Sequence, residues 1–160
     1  KTEFQLTKTP VEVLPGLSTL GEIPIAERTE KPGIASRVFH KVNGRRVWDP
    51  VIDDLSLVVQ AKDGLIIMTG CCHAGLLNTC AKASRLFNRR IKAVVGVTHM
   101  MEYSEEDVEH VGKVLENTYG TPELYLNHCT GQKAIKQLRA RFGSETVHDC
   151  LAGSELTFET

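Results

Sequence analysis

The sequence predicts an α/β protein that is built on a mainly parallel sheet. From Gly70 onward, apolar runs of strand length alternate with segments of helical periodicity, which is typical of crossover connections between parallel strands. Three of the apolar runs also end in a histidine, namely His73, His99 and His128. Because parallel strands end at one edge of a sheet, we expect these three imidazoles to converge there.

The composition limits the class of protein. The 160 residues fit one domain with a sizeable core, so we expect a single domain over residues 1–160. Lysine and arginine number 19 against 20 aspartates and glutamates, so charge does not favour nucleic acid as a partner. No apolar stretch approaches the roughly 20 residues of a membrane helix, which argues against a membrane protein. Five cysteines, two of them adjacent, indicate metal or reactive-thiol use, and we expect a protein of the reducing cytoplasm.

Residues 1–50 are predicted to be irregular, with short strands and turns. Prolines interrupt this stretch every several residues and exclude long helices. The Asn43-Gly44 pair is typical of a tight two-residue hairpin turn. The predicted strands are residues 11–14, 17–20, 37–42 and 45–48.

Residues 51–160 are predicted to contain a hairpin followed by alternating strands and helices. Residues 54–61 and 65–69 have the pattern of two antiparallel strands, and both are so apolar that we expect both faces to be covered. Ser104, followed by three acidic residues, predicts a helix start. The other predicted elements are helix 74–87, strand 91–97, the helix from 104 to near 120, strand 124–127, helix 131–141, and short strands at 146–148 and 155–158.

The strand-terminal histidines predict a metal centre. Neutral imidazole is the commonest metal ligand, and three ligands with an open position make a catalytic zinc site. Cys71, Cys72 and Cys129 add thiols beside His73 and His128. The structural alternative is that each histidine only hydrogen-bonds a strand or helix end. Equivalent positions for three of the six histidines favour the metal.

Two other hypotheses concern the same edge. Cys71 or Cys72 precedes a predicted helix, where a thiol has a lowered pKa, and could be a nucleophile or redox sensor. A nucleophile needs one thiol and one base rather than three imidazoles, so this is the lesser hypothesis. Asp54 could bring a carboxylate to the edge, although acidic residues near Pro50 are equally turn formers. No glycine-rich phosphate loop occurs, and nucleotide binding has little support.

Four motifs follow one another along the chain. They are the stretch from Pro15 to Pro24, Thr69-Gly70-Cys71-Cys72-His73-Ala74-Gly75, Gly96-Val97-Thr98-His99, and His128-Cys129-Thr130-Gly131. In this order they resemble the later motifs of the metallo-β-lactamase superfamily, in the branch that is named for a dihydropterin-ribofuranosyl-aminobenzene-phosphate synthase. That branch usually has serine at the position of Cys72 and Gly-Phe at the position of Val97-Thr98. The leading motif of the superfamily, His-x-His-x-Asp-His, is absent from these residues.

The resemblance implies a four-layer αββα sandwich, of which this chain supplies the C-terminal part. It also implies one or two metal ions, commonly zinc, with iron or manganese as alternatives, and a hydroxide on the metal as nucleophile. Cys71 or His73 would stand where the superfamily has its metal-bridging aspartate, and His128 resembles the last metal histidine. His99 belongs to the branch's own motif and would be a metal ligand or a substrate contact.

The leading hypothesis is therefore a metal-dependent hydrolase of a small molecule, with a phosphate- or pterin-related substrate. The chain begins at Lys1 rather than Met, and we expect an N-terminal portion of the same fold, in a longer chain or a partner chain, to complete the site. Half a sandwich exposes a sheet face, so we expect tight association or an oligomer. The alternative is a non-catalytic or thiol-based regulatory module that keeps the fold without a full metal site. The predicted ligands are His73, His128, Cys71 and His99, with Cys72, Cys129 and Asp54 as further candidates.

Overall fold

A computed structural model of the chain describes residues 3–4, 6–23, 30, 38–49 and 51–159. These residues form nine strands and three α-helices. The strands are β1 (Glu12–Leu14), β2 (Leu17–Thr19), β3 (Phe39–Val42), β4 (Arg45–Trp48), β5 (Ser56–Ala61), β6 (Gly64–Thr69), β7 (Ile91–Gly96), β8 (Glu123–Leu126) and β9 (Val147–Asp149). The helices are α1 (Leu76–Phe87), α2 (Glu105–Tyr119) and α3 (Gln132–Phe142), and a 3₁₀ turn spans His128–Thr130.

Seven of the described strands form one mixed sheet in the order β1-β2-β5-β6-β7-β8-β9, and β3 pairs only with β4. The strands from β6 to β9 are parallel, whereas β5 is antiparallel to β6 as the sequence predicts. Each parallel crossover carries one helix, so the helical periodicity after Gly70 had been correctly interpreted. The mixed α/β fold is confirmed.

The main core lies between one face of the sheet and the three helices. Apolar residues that alternate along the strands point to this face, and the amphipathic helices cover them. Burial of this kind contributes about 25 cal/mol for each Å² of apolar surface that leaves water. The most deeply buried members of this core include Val58, Leu65, Ile67, Leu77, Val94, Val111, Leu115, Leu124, Leu126, Ile135 and Leu138.

The second face of the sheet is only partly covered by the described residues, so the prediction that both faces are covered holds in part. Ala61 and Ile66 are buried on this face. Met68 is 42% exposed, and Val59 and Val95 are only half-buried. The C-terminal segment crosses this face, and Phe158 packs edge-on against Tyr125. A largely apolar cavity of about 360 Å³ remains between this segment and the sheet.

The predicted hairpins and most element boundaries agree with the structure. Asn43 and Gly44 both have positive φ, at 51° and 77°, as a two-residue turn of the primed type requires. The predicted strand at 155–158 was wrong, because this segment joins no ladder and is tied to the sheet through the bond from Lys62 N–H to the Glu159 carbonyl. Pro24, Arg37 and Pro50 lie outside the described residues. The single-domain organisation stays a prediction.

In the described part of the chain, no helix combines the length and the apolar character that a membrane span requires.

Helix α2 begins with a complete capping box. The Ser104 hydroxyl accepts the Asp107 N–H at 3.1 Å, and the Asp107 carboxylate accepts the Ser104 N–H at 3.2 Å. These bonds satisfy two donors that the first turn of a helix otherwise leaves unpaired.

We predict that Ser104→Ala lowers the free energy of unfolding by about 1 kcal/mol, because it removes the acceptor for a first-turn N–H. Urea denaturation measures this loss. Ser144→Ala is the matched control, since Ser144 is exposed outside any helix and should change stability by less than about 0.5 kcal/mol. Equal effects of the two variants would contradict a capping role.

Candidate functional site

The turns that follow β6, β7 and β8 bring the three predicted histidines to the same edge of the sheet. The rings of His73 and His99 meet edge to face, with their centroids 4.3 Å apart and their planes at 63°. His128 is exposed beside them and is close enough to influence the pKa of His99. The convergence that topology predicts is therefore present in the structure. The metal-binding role of these residues stays a prediction.

Each of these turns contains a non-glycine residue with a left-handed backbone. The φ values are 61° for Cys72, 45° for His99 and 44° for His128. Such conformations cost on the order of 1 kcal/mol or more each, and they persist only where the surroundings fix them. Four other non-glycine residues with positive φ lie elsewhere among the described residues, so this strain shows only that the surroundings fix the three turns.

Specific hydrogen bonds hold the turns in place. The Asp54 carboxylate accepts the backbone N–H of His73 at 2.6 Å, which brings a carboxylate to the edge and orients the first turn. The Thr130 hydroxyl accepts the backbone N–H of Thr98 at 3.1 Å, so it connects the second turn to the third. Asp54 thus brings its carboxylate to the edge and bonds the backbone of a candidate ligand, and its role as a metal donor stays a prediction.

Two imidazole nitrogens at this edge lack partners. The Nδ1 atoms of His73 and His99 are buried and have no hydrogen-bond partner among the described residues. Desolvation lowers the pKa of His99, and the neighbouring His73 lowers it further. A neutral imidazole with an unshared electron pair is the form that binds a metal ion.

The cysteines divide into two environments. Cys71 and Cys129 are half-buried, and Cys129 is near enough to Cys71 to raise the pKa of its thiol. The Cys129 sulfur also lies 2.9 Å from Nδ1 of His128. Cys72, in contrast, is fully buried beneath α1, with its sulfur 3.4 Å from the Thr79 hydroxyl. Cys72 is therefore a core residue and is poorly placed as a ligand at the edge.

The expectation of a lowered thiol pKa at the start of α1 was wrong. Desolvation raises the pKa of Cys71, and the neighbouring Cys129 and Asp54 raise it further. Desolvation also raises the pKa of Cys72, far above its usual range. Burial outweighs the favourable field of a helix N-terminus at both positions.

The donor types fit a metal ion, although the set is incomplete. The two unpartnered imidazole nitrogens have the chemistry of zinc ligands, and the Cys71 thiol and the Asp54 carboxylate are nearby donors of suitable kinds. Among the described residues, however, no three histidine, cysteine, aspartate or glutamate side chains are arranged so that they could hold one metal ion. Within these residues the edge offers part of a metal site.

Glu30 is a partly buried acidic residue that sequence reasoning missed. Its Oε1 accepts the N–H of Leu77 at 2.5 Å in the first turn of α1, where Gly75 provides no side-chain cap. Its Oε2 is buried and has no partner among the described residues. Burial raises the pKa of Glu30 to about 8, although the hydrogen bonds from Leu77 and Asn78 oppose the shift. No local signal marks this contact, because the two partners are 47 residues apart.

Comparisons with known proteins identify relatives. The chain is 32% identical over 141 residues to the 7,8-dihydropterin-6-methyl-4-(β-D-ribofuranosyl)-aminobenzene-5'-phosphate synthase of Methanocaldococcus jannaschii. The alignment covers 86% of this chain and 47% of that protein. It is also 30% identical over 98 residues to an uncharacterised protein of the same organism. That alignment covers 60% of this chain and 34% of that protein. No protein-family model matches the chain.

A solved structure with a similar fold belongs to the superfamily that the motifs resemble. A crystal structure of a metal-dependent hydrolase of the β-lactamase superfamily matches with a TM-score of 0.82 and 31% sequence identity, and the match covers 99% of this chain and 59% of that chain. The chain spans about half the length of the curated synthase that it matches. These findings confirm the resemblance that was recognised in the motifs.

We predict that Gly131→Ala destabilises the protein more than Gly143→Ala. The two glycines have nearly the same φ, 84° and 85°, so both variants carry the same left-handed strain. A Cβ at Gly131 would lie 2.7 Å from the Met101 Cα, whereas a Cβ at Gly143 would meet nothing within 4 Å. The expected difference in the free energy of unfolding, measured in urea, is about 1–3 kcal/mol. Equal losses would show that the turns are not closely packed.

We predict that Glu30 makes stability depend on pH. Because its pKa rises from 4.5 to about 8 on folding, the folded protein binds the proton more tightly, and the free energy of unfolding falls as the pH rises through this window. The slope from this group is at most about 1.4 kcal/mol per pH unit.

Glu30→Gln should remove this slope, because glutamine keeps an oxygen for the Leu77 N–H and carries no charge. The variant should match the parent near about pH 5 and exceed its stability near about pH 9, in urea denaturation. Glu145→Gln, at an exposed position, is the control and should keep the parental slope. Parallel pH profiles for the parent and Glu30→Gln would refute the assignment.

Proposed function

This chain has the fold of the metallo-β-lactamase superfamily, and we propose that it supplies the C-terminal half of a metal-dependent hydrolase. The observation that carries the proposal is the pair of unpartnered imidazole nitrogens of His73 and His99 at the carboxyl ends of the parallel strands. Ligands and catalytic groups of open α/β sheets lie at this edge. The similar solved structure is described as a metal-dependent hydrolase, which supports the same class of activity.

In this proposal each strand end has a defined task. His73 and His99 would hold the metal together with donors from outside the described residues, and Cys71 and His128 are further candidate donors at the same edge. Asp54 would keep the His73 turn in position through its 2.6 Å bond to the backbone. A bound zinc, iron or manganese ion would supply Lewis acidity for the hydrolysis.

The substrate in this proposal is a small molecule with a phosphate or a pterin-related ring. The support is the name of the synthase from Methanocaldococcus jannaschii, to which this chain is 32% identical. The fold hosts several chemistries, so the support comes from that relative and not from the architecture.

The site requires donors from outside the described residues, and the open sheet face is where the missing half would pack. Met68, Val59 and Val95 present apolar surface on this face, beside the cavity of about 360 Å³. Sheets in a sandwich pack about 10 Å apart through such residues. An N-terminal portion of the same fold, in a longer chain or in a partner, would cover the face and supply the remaining ligands. The five cysteines are free, in keeping with a reducing cytoplasm.

The second candidate function is a regulatory or interaction module that retains the fold without catalysis. The observation that favours it is the absence of a three-donor arrangement among the described residues. In that case the apolar sheet face or the thiols would carry the function.

We predict that the natural protein that contains this chain purifies with zinc, iron or manganese in stoichiometric amount. Elemental analysis of the purified protein, combined with its intact mass, measures the metal for each chain and shows whether an N-terminal portion is present. His73→Ala should weaken metal binding by at least about tenfold, since even loss of a group that only supports a ligand costs 10- to 100-fold.

His110→Ala is the matched control, because His110 is exposed on α2, away from the strand ends, and the variant should bind metal as the parent does. A natural protein that consists only of this chain and holds none of these metals would refute the hydrolase and favour the regulatory module. Unchanged metal content in His73→Ala would remove His73 from the ligand set.

A further inference from the structure

The hairpin of β3 and β4 stands apart from the main sheet. Its two strands pair only with each other, and all eight of their residues are exposed. A two-stranded hairpin is marginally stable at best in water, and exposed apolar patches commonly mark binding surfaces. Phe39 and Trp48 on this hairpin are each 40% exposed. The described residues therefore leave the aromatic side chains of the hairpin open to a ligand.

One face of the hairpin carries two aromatic rings and two cations. The ladder places Phe39 opposite Trp48, which form an aromatic pair, and Lys41 opposite Arg46, which form a cationic pair. Directly opposed residues share a face of a ladder, and so do residues two positions apart on one strand. The Arg46 guanidinium accordingly lies 4.0 Å from the centre of the Phe39 ring. These four side chains form what we call the aromatic-cationic face.

The cationic pair is unfavourable without an anion. Like charges that stand directly opposite each other destabilise a ladder. Asp49, at the end of the hairpin, lies 3.5 Å from His40, which belongs to the other face, and so it does not neutralise the pair. A phosphate group carries close to two negative charges at neutral pH and accepts the forked N–H groups of arginine. Such a group would remove the repulsion between Lys41 and Arg46.

We propose that the aromatic-cationic face binds a small molecule that combines a planar ring with a phosphate group. The ring stacks on the aromatic pair, and the phosphate lies between the two cations. The chain carries 19 basic against 20 acidic residues, and this balance favours a small anion over a nucleic acid. The inference rests on the proposed function in one respect, because it takes this ligand to be the substrate, whereas binding itself needs no metal.

The hairpin is connected to the candidate metal edge by consecutive hydrogen bonds. The Asp49 carboxylate accepts the Val51 N–H at 2.8 Å, and the Val51 carbonyl accepts the Asp54 N–H at 3.3 Å. The Asp54 carboxylate in turn accepts the His73 N–H at 2.6 Å. Asp49 and Asp54 are five positions apart, so their Cα atoms are separated by at most about 18 Å. The aromatic pair stands at the end of the hairpin that adjoins Asp49, so one ligand of moderate length can contact both the hairpin and the edge.

The test is an NMR titration of the natural protein that contains this chain with three probes. Phenylphosphonate has the ring and the charge, inorganic phosphate has the charge alone, and phenol has the ring alone. Phenylphosphonate should bind at least about fivefold more tightly than inorganic phosphate, because an aromatic stacking contact contributes that much or more. Phenol should bind more weakly than phenylphosphonate.

Variants of the hairpin locate the binding. Lys41→Gln should weaken phenylphosphonate binding by about fivefold, as expected for one ion pair in water. Arg45→Gln is the matched control, because Arg45 lies on the other face opposite Val42, and it should change the affinity by less than about twofold. Phe39→Leu should remove most of the advantage of phenylphosphonate over inorganic phosphate.

Several outcomes would overturn the inference. They are equal affinities for phenylphosphonate and inorganic phosphate, equal losses in Lys41→Gln and Arg45→Gln, or tighter binding of a single-stranded oligonucleotide than of phenylphosphonate. If a variant does not fold, the comparison of the three probes on the parent decides alone. Ring-dependent binding in a protein without metal would support the hairpin site while the hydrolase fails. A metal-containing protein that does not distinguish the probes would have the opposite meaning, so the two proposals are separable.

Discussion

The candidate site depends on the buried contact between the turn after β7 and the turn after β8. The Thr98 hydroxyl and N–H both bond the Thr130 hydroxyl at 3.1 Å, and both threonines are fully buried. Met101 N–H bonds the Cys129 carbonyl at 3.2 Å, close to the point where Gly131 leaves no room for a side chain. Buried hydrogen bonds that lose one partner cost about 1–3 kcal/mol, so neither turn can move alone. These hydrogen bonds between the two turns stabilise the left-handed backbones of His99 and His128.

Burial also determines the charge state of the groups near this edge. Desolvation lowers the pKa of His99 and raises the pKa of Glu30, and both shifts favour the neutral form. The consequence differs between the two sites. A protonated Glu30 can cap α1 without a buried charge, whereas the buried Nδ1 of His99 has no hydrogen-bond partner among the described residues. A ligand that accepts electron pairs and carries positive charge, such as a metal ion, is the chemical complement of this arrangement.

The sequence predicted the features that local signals determine. The Asn43-Gly44 turn, the Ser104 cap and the helical periodicity each involve residues within a few positions of one another, and the structure contains all of them. The convergence of His73 and His99 was also predictable, because parallel strands end at one edge.

The features that the sequence did not predict depend on residues far apart in the chain. The Glu30 cap joins positions 47 residues apart, and the bond between Thr98 and Thr130 depends on how two turns pack. Burial of the Cys72 thiol reversed the pKa expected from its place before a helix. Apolar strands predicted a covered second face, and the described residues cover it only in part, because apolarity records what a face is suited to contact and not which segment provides the contact.

The candidate metal site and the second sheet face are both incomplete among the described residues, and the proposed second half of the fold would complete both. Among the described residues, no three side chains are arranged to hold one metal ion, and Met68 on the second sheet face is 42% exposed. One is a matter of coordination chemistry and the other of apolar burial, so neither implies the other. A second sheet layer packed on the open face would remedy the burial, and its own strand ends would lie beside His73 and His99. A module that acted alone would be under pressure to replace exposed apolar residues on this face, because such patches promote aggregation. The proposed second half of the fold would therefore account for both the apolar face and the unpartnered imidazoles among the described residues.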